Sequence, residues 1–201
     1  TDSTMKKVAV GVDIGGTNSV YGLVDEQGEI ICEGVFPTRN YPDFDQYIEE
    51  LYIGIQSLLK RAGDDVELVG IGIGAPNGNY YTGTIEFAPN LVWKGVLNIV
   101  EKIKRYFPTV PVIITNDANA AAVGEMVYGG AKGMKDFLVV TLGTGLGSGF
   151  VANGKLVVSA VADVKDAWRP TLRQPESNVP CSSCWPTTSR IANSVASLMM
   201  I

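Results

Sequence analysis

Apolar and polar positions alternate in two distinct rhythms along this chain. Val8, Val10 and Val12 alternate with small residues, the period-two pattern of a strand. A second strand is expected over residues 19–25, a turn at Glu26-Gln27-Gly28, and a third strand over 29–36. Together these read as a three-stranded meander. The rhythm then changes. Phe44, Tyr47, Ile48, Leu51, Tyr52, Ile55, Leu58 and Leu59 recur at helical spacing, which predicts a helix from near Asp43 to Gly63 with one apolar stripe. The β-branched run 66–73 predicts a buried strand. A helix that covers a sheet and leads into another strand is an α/β layer.

The pattern beyond is less regular. Residues 74–79 and 83–93 read as loops, rich in small and amide side chains that suit a hydroxyl-bearing ligand and equally suit ordinary turns. Val96, Ile99, Val100, Ile103 and Phe107 predict a helix over 96–107, stopped by Pro108, with a strand at 110–114. A small-residue helix is then expected from Asp117 to about Tyr128, closed by Gly129-Gly130. A strand over 137–142 and a hairpin turning at Asn153-Gly154 complete the ordered pattern.

Composition narrows the chemistry. The chain has 201 residues, 46% of them hydrophobic, enough for one large domain or two small ones. A net charge of −5 without a basic cluster argues against a nucleic-acid partner. No apolar run reaches the length of a membrane span and the N-terminus lacks a signal-peptide pattern, so a cytoplasmic protein with no membrane partner is expected. The three cysteines, Cys32, Cys181 and Cys184, make no disulfide framework. Histidine is absent, which removes a His base and any His-ligated metal site. Acid–base work must fall to carboxylates.

Between the first two strands lies Asp13-Ile14-Gly15-Gly16-Thr17-Asn18. Paired glycines let a turn take φ > 0 and leave its N–H groups open, so that it can wrap the oxygens of a phosphate. Asp13 stands where a carboxylate can hold a hydrated Mg²⁺. A plain Gly-Gly hairpin fits the same residues. A second glycine loop, Gly143-Thr144-Gly145-Leu146-Gly147-Ser148-Gly149, also follows an apolar strand, and two such loops suit a nucleotide held between two lobes. Asp117, in Thr115-Asn116-Asp117-Ala118-Asn119, reads as a helix N-cap. It also reads as a carboxylate facing the crevice at the carboxyl end of a strand. Both roles are compatible.

Taken in order, Asp13-Ile14-Gly15-Gly16-Thr17, Gly74-Ala75-Pro76-Asn77-Gly78, Asn90-Leu91 with Trp93, Asn116-Asp117-Ala118-Asn119-Ala120-Ala121 and the glycine loop 143–149 resemble the sugar kinases of the ROK family, nearest to the bacterial glucokinases. The resemblance runs from Lys6 to Val157. It implies the two-lobed actin/hexokinase-like (ribonuclease H-like) α/β fold, with ATP and a hexose in the cleft and the 6-hydroxyl as phosphoryl acceptor. Residues 1–115 would form the first lobe and 116–157 the start of the second. By resemblance, Gly15, Gly16 and Thr17 would hold the β- and γ-phosphates, and Asp13 the Mg²⁺ through water. Thr144, Gly145 and Gly147 would make the second phosphate contact. Asn116 and Asp117 would bind sugar hydroxyls, Asp117 serving as general base, with Gly78 and Asn90 as further sugar contacts. The family also implies a homodimer. Other readings are a non-catalytic nucleotide- or sugar-binding remnant, an actin-like ATPase and a sugar-responsive regulator.

Past Val157 the resemblance stops. The family's Glu-x-Gly-His segment and its zinc site of one His with a cysteine run are missing from residues 158–201. Cys181-Ser182-Ser183-Cys184 has neither a histidine nor a second cysteine pair to make a zinc site. Codons for residues 158–171, read one base earlier, can spell Gln-Cys-Gly-Cys-Gly-Arg-Lys-Gly-Cys-Leu-Glu-Thr-Tyr, the missing cysteine motif. The tail is therefore expected to be an out-of-frame, disordered translation behind a deletion, and the chain as written to lack activity.

Overall fold

The computed structural model describes residues 5–142 and 146–157. Its first sheet holds β1 (Lys6–Ile14), β2 (Asn18–Asp25), β3 (Ile30–Pro37), β4 (Val66–Gly74) and β8 (Val112–Thr115), in the order β3-β2-β1-β4-β8. β1, β2 and β3 form the antiparallel meander, whereas β4 and β8 run parallel to β1. The parallel pairs need crossovers. α1 (Phe44–Ala62) precedes β4, and α2 (Ile99–Tyr106) precedes β8.

α1 runs where its apolar stripe predicts. The Asp43 side chain accepts the N–H groups of Asp45 at 2.8 Å and Gln46 at 3.2 Å, and Gly63 ends the helix at φ 99°. Tyr47, Leu51, Ile55 and Leu58 face the sheet, where they meet Val8, Val10, Val12, Ile14, Leu23, Ile71, Ile73 and Ile114 in one buried cluster. Full burial of each aliphatic side chain is worth about 1.5–3 kcal/mol, so this face dominates the stability of the first sheet. Within it lies a polar island: Ser19 Oγ stands 2.8 Å from both Thr38 Oγ1 and the Tyr47 hydroxyl, all buried.

The turn after β2 carries a charge with a pH consequence. Asp25 accepts the N–H groups of Gln27 and Glu29 and pairs with Lys6 Nζ at 3.0 Å. Burial pushes its carboxyl up, but the Lys6 ammonium and the two N–H groups outweigh that and hold it below the ordinary carboxylate value. A carboxylate depressed in the folded state stabilises above its unfolded pKa and loses that contribution as pH falls through the folded one. Thermal melts should therefore lose stability on acidification below about pH 4, and Lys6→Met should shrink the loss. A wild-type-to-Lys6→Met difference that stays constant on acidification would contradict this.

A small antiparallel sheet, missed by the sequence pattern, joins β5 (Gly78–Asn79), β6 (Thr84–Glu86) and β7 (Val96–Leu97) in that order. The helix expected from 96 to 107 consequently begins only at Ile99. Gly95 sits at φ 84°, and Leu97 pairs with Ile85 instead of entering a helical turn. The following strand likewise starts at Val112 rather than 110.

The last elements are α3 (Asp117–Val127), β9 (Phe137–Leu142), β10 (Leu146–Ala152) and β11 (Lys155–Val157), the strands forming a sheet in the order β11-β10-β9. The predicted hairpin turn is present, with Asn153 at φ 52° and Gly154 at φ 72°. The small residues of α3 allow a close approach to this sheet. A Cβ at Gly149 would fall 2.6 Å from the Ala118 carbonyl oxygen and 2.7 Å from the Ala122 Cβ. Among the described residues no helix is long and apolar enough to cross a membrane. The expectations for residues 158–201 lie outside the described residues.

Candidate functional site

Strand register assembles the site. Asp13 on β1 is the Cα partner of Gly74 on β4, and Gly74 is the partner of Thr115 on β8. Because these strands are parallel, all three motif-bearing loops leave the same edge of the sheet. Adjacent strands lie about 4.8 Å apart, so the Asp13 and Thr115 positions are separated by roughly 10 Å. The carboxyl ends of such strands are where open α/β sheets bind ligands.

The glycine turn differs from expectation in two respects. Neither Gly15 nor Gly16 has positive φ. They are glycines because of close approach: a Cβ on Gly15 would fall 2.7 Å from the Asn18 carbonyl oxygen, and one on Gly16 would strike the Asn90 carbonyl oxygen. Nor are all the N–H groups open, since that of Gly15 donates to the Asn18 carbonyl at 3.0 Å. Among the described residues, the N–H groups of Gly16 and Thr17 donate to no turn or loop carbonyl. Asp13 is half-buried beside the turn. Its charge reaches Tyr47, whose hydroxyl is pushed well up, mainly by burial, with Ser19 opposing and Asp13 adding.

Asn90 therefore touches the glycine turn. Its loop is pinned by Lys94 Nζ, which donates to the Leu91 and Pro89 carbonyls, and by Trp93 Nε1, which donates to the Tyr41 carbonyl at 2.9 Å. Gly78 reaches the third motif. Its Cβ would fall 2.5 Å from the Thr115 carbonyl oxygen, which also accepts the Ala75 N–H at 3.1 Å. Gly78 thus lies next to Asn116 and Asp117.

The cap of α3 is Asn116 and not Asp117. Asn116 Oδ1 accepts the Asn119 N–H at 2.6 Å, while Asp117 is the first helical residue, exposed, with Oδ1 3.0 Å from the Ala118 N of the next residue. Asp117 is thereby released from capping, and its carboxylate remains accessible to a ligand. Gly147 meets the same helix end: its Cβ would lie 3.0 Å from the Ala118 Cβ. Thr144 and Gly145 lie outside the described residues.

One polar cluster had no sequence signal beyond alternation. Glu86 Oε1 accepts from Thr84 Oγ1 at 2.8 Å, Thr82 Oγ1 at 3.0 Å and Asn79 Nδ2 at 3.0 Å. These bonds, Thr84 foremost, then Thr82 and against the opposing effect of burial Asn79, hold its carboxyl below the usual value. Glu86 thus braces the strand that carries Gly78.

Among the described residues no group of three His, Cys, Asp or Glu side chains stands ready for a metal. A phosphate-borne Mg²⁺ needs no such cage, because it keeps several waters and takes one or two carboxylates. Asp13 is fitted to that role and to no more.

Known proteins are similar to this chain. Glucokinase of Streptomyces coelicolor is 40% identical over 150 residues, which cover 74% of this chain and 45% of the relative. A beta-glucoside kinase of Listeria monocytogenes is 33% identical over 146 residues, covering 72% and 47%. A solved ROK family glucokinase from Streptomyces griseus, in complex with glucose and AMPPNP, aligns at TM-score 0.61 and 34% identity over 75% of this chain and 46% of that one. The chain thus spans about half the length of these relatives. The ROK family profile matches residues 9–161, and with that extent and these identities the chain belongs to the ROK family.

Proposed function

We propose that this chain carries the ATP- and sugar-binding elements of a hexose kinase that transfers the γ-phosphoryl group of ATP to the 6-hydroxyl of glucose. The observation that carries this reading is the shared row of Asp13, Gly74 and Thr115, which brings the glycine turn, the Gly78 loop and Asp117 to one edge. Residues 1–115 serve as the first lobe and 116–157 open the second. The turn at Gly15, Gly16 and Thr17 faces phosphate, and Thr144, Gly145 and Gly147 supply the second phosphate contact. Asn116, Gly78 and Asn90 orient the sugar hydroxyls. Asp117 accepts the proton of the attacking hydroxyl, and phosphoryl transfer asks little more of a protein than alignment and charge neutralisation. A bound Mg²⁺, held through water by Asp13, would supply that neutralisation.

The relatives act on different sugars by name, glucose and beta-glucosides among them. Glucose is favoured because the glucokinase is the more similar of these two relatives. The test is hexose-dependent ADP formation. It should be measured on the 201-residue chain and on a chimera in which residues 1–157 continue into the C-terminal half of the Streptomyces coelicolor glucokinase. ATP hydrolysis independent of sugar would favour an actin-like ATPase, and a chimera that binds neither ATP nor hexose would sink the reading.

Residues 158–201 are, on this proposal, an out-of-frame product, because the cysteine motif is recoverable one base earlier. Coding DNA across residues 157–171 that cannot spell that motif would end this account.

The glycine turn yields a sharper expectation than a phosphate contact alone provides. Gly16→Ala places a methyl where the Asn90 carbonyl oxygen sits, so the loop must move. Calorimetry should show ATP affinity falling, and the melting temperature should fall by an amount equivalent to about 0.5–3 kcal/mol, because the atom displaced belongs to the backbone. Unchanged ATP affinity would leave the turn as hairpin geometry only.

A further inference from the structure

Two consecutive carbonyls of the glycine turn are held by two consecutive residues of the short 3-10 turn, Thr38–Asn40, that follows β3. The Thr17 carbonyl accepts the Thr38 N–H at 2.9 Å, and the Gly16 carbonyl accepts Arg39 Nε at 3.2 Å. Thr38 is itself fixed, being fully buried with its hydroxyl against Ser19. In a trans peptide the C=O and N–H of one unit point in opposite directions. Holding both carbonyls towards β3 therefore turns the N–H groups of Thr17 and Asn18 the other way, side by side. Successive N–H groups on one side of the chain make an anion-binding concavity.

The two restraints are unequal. The Thr17–Asn18 peptide is locked by backbone pairing next to a buried hydroxyl. The Gly16–Thr17 peptide is freer on one side only: Gly16 admits a wide range of ψ, while a full flip would force the β-branched Thr17 to positive φ. Partial rotation through ψ of Gly16 would swing the Thr17 N–H off the anion. Arg39 supplies a side-chain restraint on that peptide. It is exposed, and it takes part in none of the ion pairs among the described residues.

We propose that Arg39 is a positioning residue for the anion-binding turn: its Nε holds the Gly16 carbonyl and so keeps the Thr17 N–H aimed at a bound polyphosphate. The proposal rests on the reading of this turn as the phosphate site. Its chemistry depends on a donor at one place along the side chain, not on positive charge as such. Glutamine carries an amide nitrogen the same number of bonds from Cα as Arg Nε, without the charge. Lysine carries the charge one bond further out. Methionine fills the same path and has no donor.

The experiment is calorimetric titration of the 201-residue chain with tripolyphosphate, for wild type and for Arg39→Met, Arg39→Gln and Arg39→Lys. Arg39→Met should weaken binding about tenfold, the usual consequence of losing one charge-assisted hydrogen bond. Arg39→Gln should restore most of it, and Arg39→Lys should stay near the methionine variant. Recovery by lysine but not glutamine would overturn the proposal in favour of simple charge attraction. So would a methionine variant that binds as tightly as wild type. A wild-type chain that binds no tripolyphosphate would instead remove the phosphate reading of the turn, and the role of Arg39 with it. The glutamine–lysine comparison stands even if the methionine variant melts early.

Discussion

Asp117→Asn should lower the rate of hexose phosphorylation by about 10²–10⁴-fold, the usual worth of a positioned general base. The structure makes this substitution unusually clean. Asn116, not Asp117, caps α3, so the helix start survives the change. The oxygen that lies near the Ala118 N–H is retained in asparagine. What disappears is the carboxylate able to accept a proton. The assay should use the chimera with the C-terminal half of the Streptomyces coelicolor glucokinase, with kcat and ATP affinity measured separately. ATP affinity should hold steady, because Asp117 starts α3 next to the Gly78 loop and lies outside the glycine turn. A kcat within about threefold of the parent would remove Asp117 from the proton transfer.

Trp93→Ala should cost about 3–5 kcal/mol of folding stability, the range for truncating a large buried aromatic. Trp93 is 5% exposed, and its ring centroid stands 4.5 Å from that of Tyr47 and 4.9 Å from that of Phe44. It is also the pin that ties the Asn90 loop to the Tyr41 carbonyl. Denaturant unfolding of the 201-residue chain measures the loss. Trp93→Phe keeps most of the packing but not the hydrogen bond, and should cost nearer 1 kcal/mol beyond the volume change, a typical net hydrogen-bond value of about that size. An alanine variant losing less than about 1 kcal/mol would mean that the loop repacks around the gap.

Elements whose signals are local were legible in the chain. α1 has a continuous stripe, an Asp43 cap and a terminal glycine, and its bounds follow from those three features. The Asn153-Gly154 hairpin follows from turn chemistry alone. The strand stubs β5, β6 and β7 did not announce themselves, being two or three residues long and paired across intervening loops. Val96 fits a helical stripe, but pairing of β7 with β6 and the positive φ of Gly95 override the spacing. Asn116 and Asp117 are both good caps, and only the backbone geometry separates them. The motifs drew attention to Gly15 and Gly16, but not to why they are glycines: the answer is the proximity of Asn18 and Asn90, and the second of these is distant in sequence. The Glu86 cluster is only partly legible in the chain: Thr82 and Thr84 are its close sequence neighbours, while Asn79 joins them through the pairing of β5 with β6.

The packing of Gly16 against Asn90 also bears on how such a chain can change over generations. The space that one residue leaves empty is the space the other's carbonyl fills. Any side chain gained at position 16 would demand a shifted backbone at position 90, and a tighter loop at 90 would forbid anything but glycine at 16. The glycine turn and the Asn90 loop are therefore not separate modules open to independent drift, and any remodelling of residues 89–91 must preserve the fit to the turn.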